Sequence, residues 1–184
     1  MSEAITTPTT EQRKLSIKPD NIYETRQLST QINLAPRALN YSDVNQIILE
    51  KLKKQVEGKC IGDGFIKDES VEIISRSPGM MFNNDFTGSI AYEIKYSAEV
   101  CNPKEGQIIE VVVEDNNNET NTVCYFVDED TSPIEIYLFK QHYLENTVYA
   151  GLKKGDKILV KILDTQIEFG QRKILATAEF LSLV

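Results

Sequence analysis

KYSAEVCNPKEGQIIEVVVED, residues 95–115, decides the fold. Tyr96, Ala98 and Val100 alternate with Lys95, Ser97 and Glu99. One face of this stretch is therefore apolar and the other polar, the period of a half-buried strand. Pro103 and Gly106 then mark a turn. Ile108–Val113 begins a second strand at once, and its β-branched run is too apolar to stand uncovered. Two strands joined this tightly are the start of a small closed β-structure, so the fold depends on what flanks them.

Downstream the pattern is all strand. Gln107–Asp115 faces Thr122–Val127 across a polar hairpin loop at Asn116, Asn117 and Asn118. Ile134, Ile136 and Leu138 alternate with Glu135, Tyr137 and Phe139. GLKKGD (Gly151–Asp156) reads as a turn, and Lys157–Phe169 and Lys173–Leu183 as two closing strands across Glu168–Gln171. Five strands with one loop-like excursion, between Gln141 and Gly155, match the OB-type barrel. Residues 101–184 are expected to form it.

Upstream the pattern is mixed. Residues 1–20, rich in Thr, Ser, Pro and charge, are expected to be a disordered tail. Ile22–Leu34 reads as extended, anchored by Ile22, Leu28, Ile32 and Leu34, and Pro36 interrupts it. Asn40 or Ser42 is suited to cap a helix, because a short oxygen-bearing side chain satisfies the first backbone donors. In Ser42–Val56 the residues Val44, Ile47, Ile48, Leu52 and Val56 form one apolar stripe, with Glu50 and Lys54 spaced as an i, i+4 pair. Gly58 ends the helix. Val56–Ile66 (VEGKCIGDGFI) reads as a turn, Val71–Ser75 as a short strand, and Ser77–Thr87 (SPGMMFNNDFT) as a loop with unusual apolar content. Residues 21–100 are thus expected to be a helix packed on an antiparallel sheet, which makes the chain α+β.

Composition excludes several functions. With 184 residues, 41% apolar and 26% charged, the chain has ordinary globular proportions. No apolar run approaches the roughly 20 residues of a membrane span, and the first residues lack the apolar centre of a secretory signal. Cys60, Cys101 and Cys124 have no C-x-x-C spacing for zinc and no even count for a disulfide framework, which suits a reducing compartment. The glycine-rich Val56–Ile66 segment follows a helix and lacks the Lys-Ser/Thr ending of a phosphate loop. His142 is the single histidine, expected idle at a strand end. Asp128, Glu129 and Asp130 are adjacent acids that cannot all face one cation, and no second carboxylate is placed by any motif for acid–base work. No metal, cofactor or catalytic residue is expected. The net charge is −8, and from Cys101 onward eight basic residues meet fourteen acidic ones. Binding that relied on phosphate neutralisation needs the reverse, so any contact with single-stranded RNA should be weak and salt-sensitive.

Four stretches taken in order resemble a known family. These are VEGKCIGDGFI, Ile90–Val113 (IAYEIKYSAEVCNPKEGQIIEVVV), Lys153–Ile162 (KKGDKILVKI) and the terminal KILATAEFLSLV. They are similar to the large stalk subunit of multi-subunit DNA-directed RNA polymerases, the seventh subunit of eukaryotic polymerase II and its archaeal counterpart, over residues 22–184. The chain departs from that pattern at Asn116–Glu119, where family members usually carry a glycine, and in a shorter segment before GLKKGD. Its Asn- and Ile-rich usage suggests a large DNA virus as source.

The resemblance implies a non-catalytic arm. Its front part would dock on the polymerase core, against the clamp region of the largest subunit and a small core subunit. Gly58, Cys60, Gly62, Gly64 and Phe65 would enter a groove, with Met80, Met81, Phe82 and Phe86 as apolar anchors. The barrel would stand near the RNA exit path. OB barrels stack bases on strand aromatics beside cations, here Tyr125, Tyr137, Phe139, Lys140 and Lys161. A small helical stalk partner is the usual companion. The compartment implied is the nucleus, or the cytoplasm or virion for a viral enzyme. The competing expectations are a free-standing OB protein of RNA metabolism or translation and a self-associating structural protein.

Overall fold

The computed structural model describes residues 19–37, 43–81, 88–116, 120–127 and 131–184. In chain order the elements are β1 (Tyr23–Leu34), α1 (Val44–Val56), β2 (Cys60–Ile61), β3 (Gly64–Ile66), β4 (Glu72–Arg76), β5 (Met80–Met81) and β6 (Ile90–Cys101). Then follow β7 (Ile108–Asp115), β8 (Asn121–Tyr125), β9 (Ile134–Phe139), α2 (Thr147–Ala150), β10 (Lys157–Gln166) and β11 (Ile174–Leu183).

The alternating stretch became β6, and the first sheet is built on it. β1 pairs antiparallel along its whole length, from Tyr23 opposite Cys101 to Leu34 opposite Ile90. The other edge of β6 takes β5, β4 and β3 in turn, and β2 closes a hairpin on β3. Tyr92, Ile94, Tyr96, Ala98 and Val100 are buried together with Ile48, Leu52 and Val56 of α1. Ile48 and Leu52 are fully buried, and each contributes about 1.5–3 kcal/mol relative to exposure. The helix is capped by Asp43, whose carboxylate accepts from the Asn45 N–H at 3.0 Å. Asn40 and Ser42, expected for that task, lie outside the described residues. An i, i+4 ion pair joins Lys53 to half-buried Glu57 at 3.7 Å, and on the exposed face Glu50 takes a hydrogen bond from Gln46. Past its end Gly58 adopts φ +67°, a left-handed turn that costs glycine little.

The Val56–Ile66 segment departs from the expected turn. It is a hairpin of the sheet, because Phe65 and Ile66 pair with Cys101 and Val100 of β6. Met80 and Met81 likewise pair with Ala91 and Ile90 instead of lying in a loop.

β7–β11 form a closed barrel in the order β7-β8-β9-β11-β10, with β10 returning to β7. β9 and β11 run parallel and the other pairs antiparallel. That is the OB arrangement, first strand beside second and fourth, third beside fifth. Ile109, Val111, Val113, Cys124, Ile134, Ile136, Leu138, Ile158, Val160 and Ile162 line the interior, as their alternation requires. The excursion before β10 is partly helical: a 3-10 turn at Lys140–His142, then α2. His142 therefore sits exposed on a helical turn and not at a strand end. Tyr149 of α2 closes this end of the barrel. Its ring stacks on Tyr143 at 4.4 Å, and its hydroxyl shares a 2.7 Å hydrogen bond with buried Thr122.

Sheet and barrel have separate hydrophobic cores, yet Ile22, Cys60, Phe65 and Cys101 pack into that of the barrel. The β2–β3 hairpin is also tied to the β10–β11 loop. The Cys60 N–H donates to the Gln171 carbonyl at 2.6 Å, and the Gly170 N–H to the Cys60 carbonyl at 2.8 Å. Glu24 accepts from both Arg26 and Lys104.

Burial pushes the Cys60 thiol up to about 11 and Cys124 to about 12, from an ordinary 9.0. It also raises the phenols of Tyr96, Tyr143 and Tyr149. A raised acid is protonated in the folded chain when it would ionise in the unfolded one. The stabilisation is complete below about pH 9 and is lost as pH rises toward 11–12. Urea unfolding is expected to give a constant stability from pH 7 to 8.5 and a falling one from 9.5 to 11. A flat alkaline limb would mean that the thiols are accessible.

Candidate nucleic-acid and partner interfaces

The residues expected to dock on a polymerase core fall at opposite ends of β6. Phe65 stands across from Cys101, and Met80 across from Ala91. Ten residues of strand separate the two pairings, about 33 Å at 3.3 Å per residue. At the Cys101 end, Cys60 and Phe65 are buried in the chain's own interior. Gly64, at φ +136°, lies against the Cys101 carbonyl and the Val100 side chain. A Cβ on Gly58 would come within 2.9 Å of Asp68, whereas one on Gly62 would meet nothing within 4 Å. This hairpin is a seam between sheet and barrel. At the Ile90 end, Met80 is 54% and Met81 68% exposed. Phe82 and Phe86 follow in sequence but lie outside the described residues.

Phe169, in the loop between β10 and β11, is 85% exposed. It overhangs a groove of about 430 Å³ that Leu28, Val56, Ile61 and Tyr96 also line. The groove thus spans sheet and barrel. Its sequence signal is slight: one aromatic within the polar turn Glu168–Gln171.

On the barrel, the structure brings together three of the aromatic residues expected to meet RNA. Tyr125, Tyr137 and Phe139 point outward from β8 and β9, alternating with buried Cys124, Ile136 and Leu138. Tyr125 is opposite Glu135, Val123 opposite Tyr137 and Asn121 opposite Phe139. The stripe is about 13 Å long from residue 135 to 139. Lys140 follows Phe139 in the chain but begins the 3-10 turn, and its ammonium donates to the Asn116 carbonyl at 2.5 Å. Lys161 lies elsewhere, on β10 between Ile108 of β7 and Glu179 of β11. Sequence reasoning missed Glu135 and Lys173. The Tyr137 hydroxyl donates to Glu135 at 2.6 Å and the Lys173 ammonium reaches it at 3.1 Å. The Tyr137 hydrogen bond, with Lys173 behind it, holds the Glu135 carboxyl below the usual range, against a smaller effect of burial. The acids at residues 128–130 lie outside the described residues. No described helix is long and apolar enough to cross a membrane.

No known family profile matches the chain. Individual proteins do, at modest identity and over most of their length. A protein of Acanthamoeba polyphaga mimivirus, provisionally named a DNA-directed RNA polymerase subunit, is 22% identical over 171 residues, covering 89% of this chain and 84% of its own. RNA polymerase II subunit 7 of Arabidopsis thaliana is 24% identical over 157 residues, covering 77% of this chain and 83% of its own. RNA polymerase II subunit RPB7 of Glycine max is 27% identical over 151 residues, with the same coverage of each chain.

Proposed function

We propose that this chain, a diverged homologue of RNA polymerase II subunit 7, is the non-catalytic stalk subunit of a multi-subunit DNA-directed RNA polymerase. One observation carries the reading: the similarity covers 77–89% of the chain, too much for the sheet or the barrel alone to supply. Residues 21–100 form the docking part and residues 101–184 the projecting barrel.

The exposed end of the sheet at Met80 and Met81, with Phe82 and Phe86 next in sequence, docks on the polymerase core. The clamp region of the largest subunit and a small core subunit are its partners. Apolar anchors hold by burial and need no charge, which suits a chain of net charge −8. Gly58, Cys60, Gly62, Gly64 and Phe65, at the other end of β6, fix the seam to the barrel. The groove under Phe169 fits an apolar helix face of a small stalk partner, with Phe169 itself as the anchor. The Tyr125–Tyr137–Phe139 face meets the emerging transcript weakly, by stacking. Such a subunit works where its polymerase works, in the nucleus or, for a large DNA virus, the cytoplasm and virion.

A tagged copy expressed in the native cell and captured gently is expected to bring down the large polymerase subunits, identified by mass spectrometry. RNA or ribosomes without polymerase would replace this reading with a free-standing RNA-binding protein. Homo-oligomers without other bands would replace it with a self-associating one.

A further inference from the structure

We propose that Glu135 reads a base edge on the β8–β9 face and gives the barrel a preference for guanine. The inference rests on the reading that this face contacts RNA, and it names the base.

A carboxylate at one end of a stacking stripe is an odd choice for a surface that only follows a phosphate backbone. Glu135 lies between Tyr125, directly opposite on β8, and Leu175, directly opposite on β11. Tyr137 stands two residues along on the same face. The carboxylate is fixed, because Oε1 accepts from the Tyr137 hydroxyl at 2.6 Å and Oε2 from the Lys173 ammonium at 3.1 Å. Its side chain still keeps 24% of its surface exposed.

An ionised carboxylate has about four acceptor positions, two on each oxygen. The tyrosine and the lysine occupy one on each. One position per oxygen is left, a pair of acceptors for a ligand. Guanine presents N1–H and the N2 amino group side by side, a pair of donors that matches it. Uracil N3–H is flanked by two carbonyl oxygens, which the carboxylate repels. Adenine and cytosine set a ring-nitrogen acceptor beside their amino donor, so each matches one acceptor only. A base stacked on Tyr125 or Tyr137 has its edge within reach of Glu135, since facing and alternate strand residues are neighbours on a sheet. Lys173 keeps the local charge near neutral and leaves stacking in place.

The test is fluorescence anisotropy at low salt with the full chain. The probes are an eight-nucleotide oligouridylate and the same oligomer carrying two central guanosines. The wild-type chain is expected to prefer the guanosine oligomer about tenfold. Glu135→Gln is expected to lose most of that ratio, chiefly by binding oligouridylate more tightly, with an unchanged thermal midpoint. Tyr125→Ser is expected to weaken both oligomers and leave the ratio alone. Equal wild-type affinities, or a ratio unmoved by Glu135→Gln, would overturn the guanine inference while leaving RNA contact standing. Binding of neither oligomer would overturn both. So would an arginine-rich peptide bound through Glu135 in their place, which would make the face a protein site.

Discussion

Gly64→Ala is expected to destabilise the chain by about 3 kcal/mol or more. The backbone at Gly64 has φ +136°, and a Cβ there would fall on the Cys101 carbonyl and within 2.9 Å of Val100 Cγ1. A left-handed conformation costs a residue with a side chain about 1–2 kcal/mol, and forcing extra volume into a packed site about 1–3 kcal/mol. Neither obstacle can yield cheaply, because the Cys101 carbonyl belongs to β6, the strand that organises the sheet. The damage should reach both cores, since Phe65 and Cys60 on the same hairpin pack into the barrel. Gly62→Ala is the control two residues away, where a Cβ meets nothing, and it should stay within about 0.5 kcal/mol of wild type. Urea unfolding of the two variants decides the matter. Equal stabilities would mean that the hairpin is not seated against β6 as described.

The Met80→Ser, Met81→Ser double variant is expected to lose the polymerase while keeping the fold. Both side chains are more than half exposed, at 54% and 68%, so stability should change by less than about 1 kcal/mol. Burial of the remaining surface against a partner contributes on the order of 1–1.5 kcal/mol for each. Together that is about 2–3 kcal/mol, a weakening on the order of 30-fold to 150-fold. Co-purification in competition with the wild-type chain reads it out. Undiminished recovery of the large subunits would move the docking surface elsewhere, with the groove under Phe169 as the next place to look.

The two variants show where sequence and structure part. Gly64 and Met80 both belong to segments that the family resemblance assigns to docking. VEGKCIGDGFI looks like a free loop because its three glycines lie between a helix and a polar stretch. What makes it a buried hairpin is its pairing with β6 at Val100 and Cys101, some forty residues on in the chain. No local pattern contains that fact. Met80 and Met81 look the same in sequence as Cys60 and Phe65, apolar residues in glycine-marked segments. Their opposite fates follow from position along β6, one pair beside the barrel and the other at the far end. On the barrel, alternation in Ile134–Phe139 correctly turns Tyr137 and Phe139 outward with no knowledge of the partner strand. It also turns Glu135 outward, but a lone acid between two isoleucines looks like solvated surface until Tyr125, Tyr137 and Lys173 are seen around it. Lys161 fails for the complementary reason. Outward on β10 is a different side of a closed barrel from outward on β8.

Side-chain periodicity and turn residues were enough to determine an α+β front, a five-stranded OB barrel behind it, and the order of the long strands and the first helix. These properties depend on neighbours a few residues apart, and the alternation of a strand or the stripe of a helix survives whatever it packs against. Which apolar residues stay exposed, which aromatics share a face, and how the hairpin at Gly64 joins sheet to barrel were decided only by the tertiary structure. Each of those depends on strand register and barrel closure, which bring together residues dozens of positions apart through hydrogen bonds that every residue can make.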